Sequence, residues 1–416
     1  MRRPARGACL APLLGIVAAA DAQEPAALLR TFDGLAFHAV VEGLDGEGRL
    51  RLGGAGAAPA DAAERVAAMV RDGVPLDAVE SVVFDPREPA APGDSSFVLL
   101  RSAQRLLGEL SGGEGKDLLV NVHGARGATR VPLAFVAAAR VAAKPLAEDG
   151  GFAQDLLKPD AAADWLYALQ GERVRRLSVT VKEVRAKEIL VDFTGTERTL
   201  PLERVYGMVF AQRSGAPPPA QALPLVRVGL RRHESVLGRL AAMDRQELTL
   251  VLAEGGELRF PREQVMRMRV RSPRCVFLSD LEPAKVEQTP ALERVWPWVR
   301  DQAPGGQPIR LGGISYERGL VLIPRTRLSF AVPPGFARFE TTVGLEDRAG
   351  PKGHAVFRIL GDDKVLFDSG PFPYGTPPKP VSLDVRSVKT LTLEADFGDH
   401  LDLGDHCVFA DARMRL

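Results

Sequence analysis

The chain closes on Asp399-His400-Leu401-Asp402-Leu403-Gly404-Asp405-His406-Cys407-Val408-Phe409-Ala410-Asp411-Ala412-Arg413-Met414-Arg415-Leu416. Two Asp-His pairs, a cysteine and an Ala-Asp-Ala-Arg run make it the densest patch of chemically capable residues in the sequence. It reads as a catalytic site, a metal site or the last element of a binding module, and the residues before it choose among these. From Cys275 onward the texture is short runs of apolar/polar alternation: 328–332, 338–345, 354–360, 364–368, 379–384 and 390–397. Gly, Pro and Asp punctuate them. Alternation with period two means half-buried antiparallel strands, and many short strands with frequent turns predict a two-sheet β-sandwich. The closing run is then its final strand.

Ordered phrases recur across 275–416. Phe277-Leu278-Ser279-Asp280-Leu281 comes first, then Leu311-Gly312-Gly313 with Tyr316 and Gly319. Phe339 with Val343-Gly344 and Asp347 follows, then Phe357 with Asp363-Lys364-Val365. Asp405-His406 and Ala410-Asp411-Ala412-Arg413 close the set. Together they resemble the NPCBM family of carbohydrate-binding modules. The resemblance implies a jelly-roll-type β-sandwich and a non-catalytic protein whose partner is a glycan or glycoprotein. Three positions depart from the family pattern. Leu320-Val321-Leu322-Ile323 stands where the family has a His after its Lys-Gly phrase, Phe409 stands for a Trp, and Asp363 stands for a Gly. A second expectation therefore sits beside the first: a structural or protein-interaction protein of the cell envelope whose sandwich no longer binds sugar.

Upstream, one phrase returns four times: Val74-Pro75-Leu76-Asp77-Ala78-Val79, Val131-Pro132-Leu133-Ala134-Phe135-Val136, Leu200-Pro201-Leu202-Glu203-Arg204-Val205 and Phe260-Pro261-Arg262-Glu263-Gln264-Val265. Such spacing marks a duplicated unit. Before each phrase lie alternating runs joined by Gly or Asp turns, which predict hairpins. Each proline, with φ fixed and no N–H, is expected to start a one-turn element before a closing strand. The pattern resembles Sm-like five-stranded barrels. The fold expected overall is mainly β, with repeated small β-barrel-like modules at 30–86, 95–145, 172–212 and 222–272 followed by the sandwich at 275–416. A helix is expected between Ala55 and Arg71 with Asp61 as its N-cap. A second is expected over Gln154–Leu169, carrying Trp165, Leu166 and Leu169.

Arg2, Arg3 and Arg6, the apolar run Ala8–Ala20 and the small residues Ala20 and Ala22 have the layout of a secretory signal peptide at 1–22. No later stretch is long and apolar enough to span a bilayer. The expectation is a secreted, periplasmic or cell-envelope protein with no transmembrane segment after signal cleavage. A formal net charge of +1 gives no electrostatic case for nucleic acid. The Arg-rich runs Arg227–Arg232 and Arg267–Arg271 read as outward faces of strands. Cys9 leaves with the signal, so Cys275 and Cys407, on the first and last strands of the sandwich, are expected to form a disulfide.

Sugar binding needs an aromatic platform and a few planar polar groups. Trp296, Trp298, Tyr316, Phe372 and Tyr374 are the candidates, weighed against plain core packing. Asp399, Asp402 and Asp405 are candidate Ca²⁺ ligands, since carboxylate oxygens suit that ion. A structural role for Asp405-His406, orienting the last turn, is ranked ahead of metal binding. No Gly-x-Ser-x-Gly, His-Glu-x-x-His or phosphate-binding loop is present, and no catalytic residues are assigned.

Overall fold

The structure is a computed structural model describing residues 26–56, 61–87, 95–114, 116–142, 145–157, 163–171, 173–211, 221–232, 235–289, 296–399 and 404–416. The signal-peptide stretch lies outside these residues. Among them no helix is long and apolar enough to cross a membrane. The chain is almost wholly antiparallel β-structure, as expected.

The repeated phrase works as its chemistry requires. Pro75, Pro132, Pro201 and Pro261 sit at φ −54°, −58°, −62° and −52°, and a three-residue 3₁₀ turn follows each. The strand after the turn begins with the Val of the phrase: Val79–Val83, Val136–Arg140, Val205–Val209 and Val265–Arg271. Proline pre-sets the φ of the bend and supplies no N–H that the bend would have to satisfy.

The repeats do not pair in chain order. The closing strand of the first pairs with that of the fourth, and the closing strand of the second with that of the third. Two ten-stranded sheets result. The registers are equivalent: Val82 faces Met268 and Ala139 faces Met208, and all four lie seven positions after their prolines (75→82, 261→268, 132→139, 201→208). In each repeat the long second strand bulges once or more, at 40–43, 110–112, 181–183 and 240–242, which bends it around the core. One continuous apolar cluster runs through all four repeats, with Leu29, Leu50, Leu118, Val136, Ile189, Met208, Leu248 and Phe260 among its buried members. The repeats thus share a core.

Close backbone approach within each pair needs glycine. A Cβ on Gly43 would lie 2.4 Å from the Met243 carbonyl oxygen, and one on Gly113 would lie 2.0 Å from that of Val184. Backbone cannot yield as a flexible side chain can. Gly43→Ala is expected to cost about 1–3 kcal/mol through overpacking, read as a lower midpoint in urea unfolding. Gly46→Ala, with nothing within 4 Å of its Cβ, should stay within about 0.5 kcal/mol of the parent. Equal midpoints for the two would contradict the packing described.

Two helix expectations change. The first helix, Ala63–Asp72, lies where expected, but Ala62 precedes it with no side-chain cap, so Asp61 is not its N-cap. Its end is held instead by Arg49, which donates to the Asp72 and Gly73 carbonyls at 2.7 and 2.9 Å. The second is only Phe152–Leu157, and Asp164–Gln170 is the opening strand of the third repeat. That strand is held by pairing along Arg173–Val179 and by the buried Asp164, which accepts Val181 N–H at 2.8 Å and Ala211 N–H at 2.9 Å. Long-range pairing overrides helical periodicity here. Phe152 plugs the outer face of the seam between repeats two and three. It lies edge-on to Tyr167 and Tyr206, over Gly207, where a Cβ would come within 2.7 Å of its ring.

The C-terminal third is the expected two-sheet sandwich. One sheet runs Val299–Arg300, Gly319–Leu322, Cys407–Arg415, Arg338–Leu345, Lys379–Asp384, with Cys275–Phe277 also on the Cys407–Arg415 strand. The other runs Lys285–Gln288, Thr326–Ala331, Thr390–Phe397, His354–Gly361, Lys364–Pro373. Phe330, Phe339, Phe357 and Phe409 are buried between them. The disulfide expectation is corrected: both cysteines are free and buried. The terminal strands do pair, but antiparallel register sets Cys275 opposite Arg415. Cys407 is eight residues along that strand (415 − 407), about 26 Å at 3.3 Å per residue, against an upper limit near 7 Å for a bridge. Burial pushes the Cys275 thiol up to about 12 and the Cys407 thiol well above its ordinary value.

Candidate functional site

Three of the sandwich's ordered phrases meet at its foot, where it rests on the repeats. From the first phrase, Ser279 and Asp280 lie in a 3₁₀ turn. Arg318, just before Gly319, donates to Asp280 at 2.8 Å and to Ser279 Oγ at 3.3 Å. From the closing strand, Arg413 donates to Glu340 and to Glu80 of the first repeat, each at 3.1 Å. Arg271 of the fourth repeat donates to the same Asp280 oxygen at 2.7 Å, and Arg274 reaches Asp77 at 2.9 Å. Burial raises the Asp280 carboxyl, but the charge and hydrogen bond of Arg318, with Arg271 behind it, hold it below the usual carboxylate range. Glu340 follows the same logic, burial being outweighed by Arg415 and Arg413. Two motif residues, Asp280 and Arg413, are thus engaged in docking. Sequence reasoning missed this network. Its one signal was the alternation Arg267-Met268-Arg269-Val270-Arg271, which does mark an outward strand face, but a face that the sandwich covers.

Two further phrases explain each other. Ile309–Leu311 and Ile314–Tyr316 form a hairpin turning on Gly312 and Gly313, at φ +57° and +82°. Their N–H groups donate to the Asp347 carboxylate at 2.7 and 2.8 Å. Gly tolerates the left-handed region, and the carboxylate satisfies the turn's donors.

The aromatic candidates separate. Phe372 is 3% exposed and edge-on to Phe357, ring centroids 5.2 Å apart. It is a core residue, and its place in the expected platform is withdrawn. Tyr374 is exposed, with its hydroxyl donating to the Asp347 carbonyl at 2.8 Å. Tyr316 packs partly against Ile309, Leu311 and Val408 and borders a cleft toward the repeats. Trp296 is 47% exposed. Trp298 packs partly on the sandwich core, with the Arg300 guanidinium 4.8 Å from its ring centre and Arg300 forked onto Glu282 at 2.8 and 2.7 Å. Both tryptophans lie between Lys285–Gln288 and Val299–Arg300, the outer strands of opposite sheets, and so at one open edge of the sandwich.

Of the carboxylates considered for Ca²⁺, Asp402 lies outside the described residues. Asp405 is buried and accepts His354 N–H at 2.7 Å. The Asp399 side chain is 82% exposed beside His354 Nδ1. Among the described residues no three metal-ligating side chains converge. Asp405 turns inward to the backbone and Asp399 outward, so as placed the two do not build one ligand set. Burial pushes the neighbouring His406 imidazole below its ordinary value.

Residues 274–415 match the model of the NPCBM/NEW2 domain. This sandwich is an NPCBM domain. A Renibacterium salmoninarum protein named "Putative endo-alpha-N-acetylgalactosaminidase" is 29% identical over 113 residues, 26% of this chain and 7% of that protein's length. The chain thus corresponds to a small part of that relative. Among solved structures, CBM51 from Clostridium perfringens GH95 in complex with methyl-galactose is 25% identical. It covers 34% of this chain and 99% of its own, with a TM-score of 0.31. The tandem CBM51 modules of Sp3GH98 from Streptococcus pneumoniae are 12% identical over 77% of this chain and 87% of theirs, also at 0.31. The NPCBM domain here carries ion pairs onto the first and fourth of the upstream repeats.

Proposed function

We propose that the protein is an exported, non-catalytic glycan-binding protein whose NPCBM domain meets its ligand at the Trp296–Trp298 edge. The family match carries this reading. An exposed indole beside a half-buried one, with the Arg300–Glu282 fork next to them, supports the place. An indole face suits the C–H face of a sugar ring, and planar charged groups suit its hydroxyls. The apolar run behind Arg2, Arg3 and Arg6 supports export, and the repeats are read as the scaffold that presents the domain.

Retention of the full-length protein on a neutral glycan array, with and without Ca²⁺, tests the reading. At least one glycan is expected to bind, with Trp298→Ala about tenfold weaker, the size of a lost stacking contact. One observation favours a different role, a structural or protein-interaction protein of the envelope. The family's His is replaced within the buried strand Gly319–Leu322, and the motif residues Asp280 and Arg413 are engaged in docking. No retention on any glycan under either condition would favour that second role over the first.

A further inference from the structure

The two seams between repeats are equivalent inside and different outside. Six and eight positions after the proline, the third repeat carries Gly207 and Val209, and the fourth carries Arg267 and Arg269 (201→207, 209; 261→267, 269). Phe152 plugs the first seam. At the second, the NPCBM domain closes over the arginines incompletely. A cavity of about 290 Å³ remains, lined from below by Arg30, Arg267 and Arg269 and from above by Tyr316, Glu317 and Arg318. That is the lower end of ligand-pocket sizes, about 300–1,000 Å³, and suits one sugar ring better than a long oligomer.

Arg267 donates to the carboxylate of Glu317, whose side chain is 48% exposed, and the Arg269 guanidinium lies against the same group. A guanidinium presents a planar fork of donors that matches a carboxylate. Four arginines line the cleft (Arg30, Arg267, Arg269 and Arg318) against three carboxylates (Glu80, Glu317 and Asp411), a formal excess of one positive charge. Burial, then the nearby charges of Arg318 and Arg267, pull Arg269 down to about 10, and burial with Arg271 and Arg318 lowers Arg227. Glu317 sits on the hairpin side of the cavity and occupies the anion position from within the chain.

We propose that this cleft is a second saccharide site, for a sugar bearing a carboxylate. The ligand carboxylate takes the place of Glu317 on Arg267 and Arg269, Arg318 adds charge from the domain side, and Tyr316 borders the ring. The site is made jointly by the repeats and the NPCBM domain, is separate from the Trp296–Trp298 edge, and rests on the glycan-binding reading only for the word saccharide.

Calorimetric titration of the full-length protein with a glucuronate-terminated disaccharide, its neutral glucose-terminated analogue, a sulfated analogue and sodium acetate tests it. The glucuronate compound should bind at least about tenfold tighter than the neutral one. Arg269→Met should remove that preference, and Glu317→Gln, at a half-exposed position, should tighten binding about three- to tenfold by freeing the arginines. Neither change should alter neutral-glycan retention at the tryptophan edge. An Arg269→Met protein that keeps the preference would overturn the site, as would a Glu317→Gln protein that melts normally and gains nothing. Tighter binding of the sulfated sugar would overturn the carboxylate assignment, and acetate competing as well as the disaccharide would overturn the saccharide. Loss of all acidic binding with neutral retention intact removes the cleft alone; loss of both removes the glycan-binding reading as well.

Discussion

Asp280→Ala is expected to cost about 3–5 kcal/mol, the range for breaking a buried ion pair and stranding its partner charge. Two guanidinium groups depend on this one carboxylate, Arg318 within the NPCBM domain and Arg271 from the fourth repeat. The loss should therefore appear both in urea unfolding and as faster proteolysis between the repeats and the domain. The same carboxylate fixes a pH dependence. Its pKa in the folded protein is below the ordinary Asp value near 3.9. Its stabilising contribution is thus complete above that value and disappears as pH falls through the folded pKa. His406 acts in the same direction but earlier. Its folded pKa is lowered by burial, so stability declines as pH falls below the unfolded value near 6.5. Acid titration of the unfolding midpoint should show a shallow decline from about pH 6.5 and a steeper one below about pH 4, the second flattened in Asp280→Asn. An Asp280→Asn protein with the parent's acid profile would show that the pairing contributes nothing.

Phe357→Ala should also cost about 3–5 kcal/mol, as a fully buried ring lost with the cavity it leaves. Phe357 is the centre of the sandwich core, edge-on to Phe372 at 5.2 Å and to Phe409 at 5.5 Å, and such pairs add to the apolar burial. The apolar cluster of the repeats is separate from that of the sandwich. The loss should consequently fall on the calorimetric transition of the NPCBM domain. Phe357→Leu should retain more than half of what Phe357→Ala loses. A repeat transition that shifts as far as the domain's would mean that the two cores unfold together.

How far these features were legible follows from the range of the interactions. The sandwich strands were readable to within a few residues because their alternation is local. The outward Arg-rich face of Arg267–Arg271 was readable for the same reason, but its cover was not. Phe372, between Pro371 and Pro373, is by sequence a candidate for the aromatic platform. It is core because the strand Lys364–Pro373 runs on past Asp368 and turns it toward Phe357. Trp165 and Leu169 fit a helical period, but the strand partners Arg173–Val179 and Val205–Val209 take that segment into a sheet. Cys275 and Cys407 sit on strands that do pair, in a register that keeps the sulfurs apart.

Alone, the amino-acid order determined what depends on a residue and its near neighbours. That covers the four proline bends with their 3₁₀ turns, the strand-by-strand alternation, and the ordered phrases of the NPCBM domain. Tertiary structure decided which equivalent strands meet. The four closing strands carry nearly the same signal, and pairing one with four and two with three depends on side chains far apart in the chain. Gly207 leaves room for Phe152, whereas Arg267 and Arg269 meet the Glu317 carboxylate. The same decision made the closing run, with its Asp411 and Arg413, part of a charged joint between two folded units.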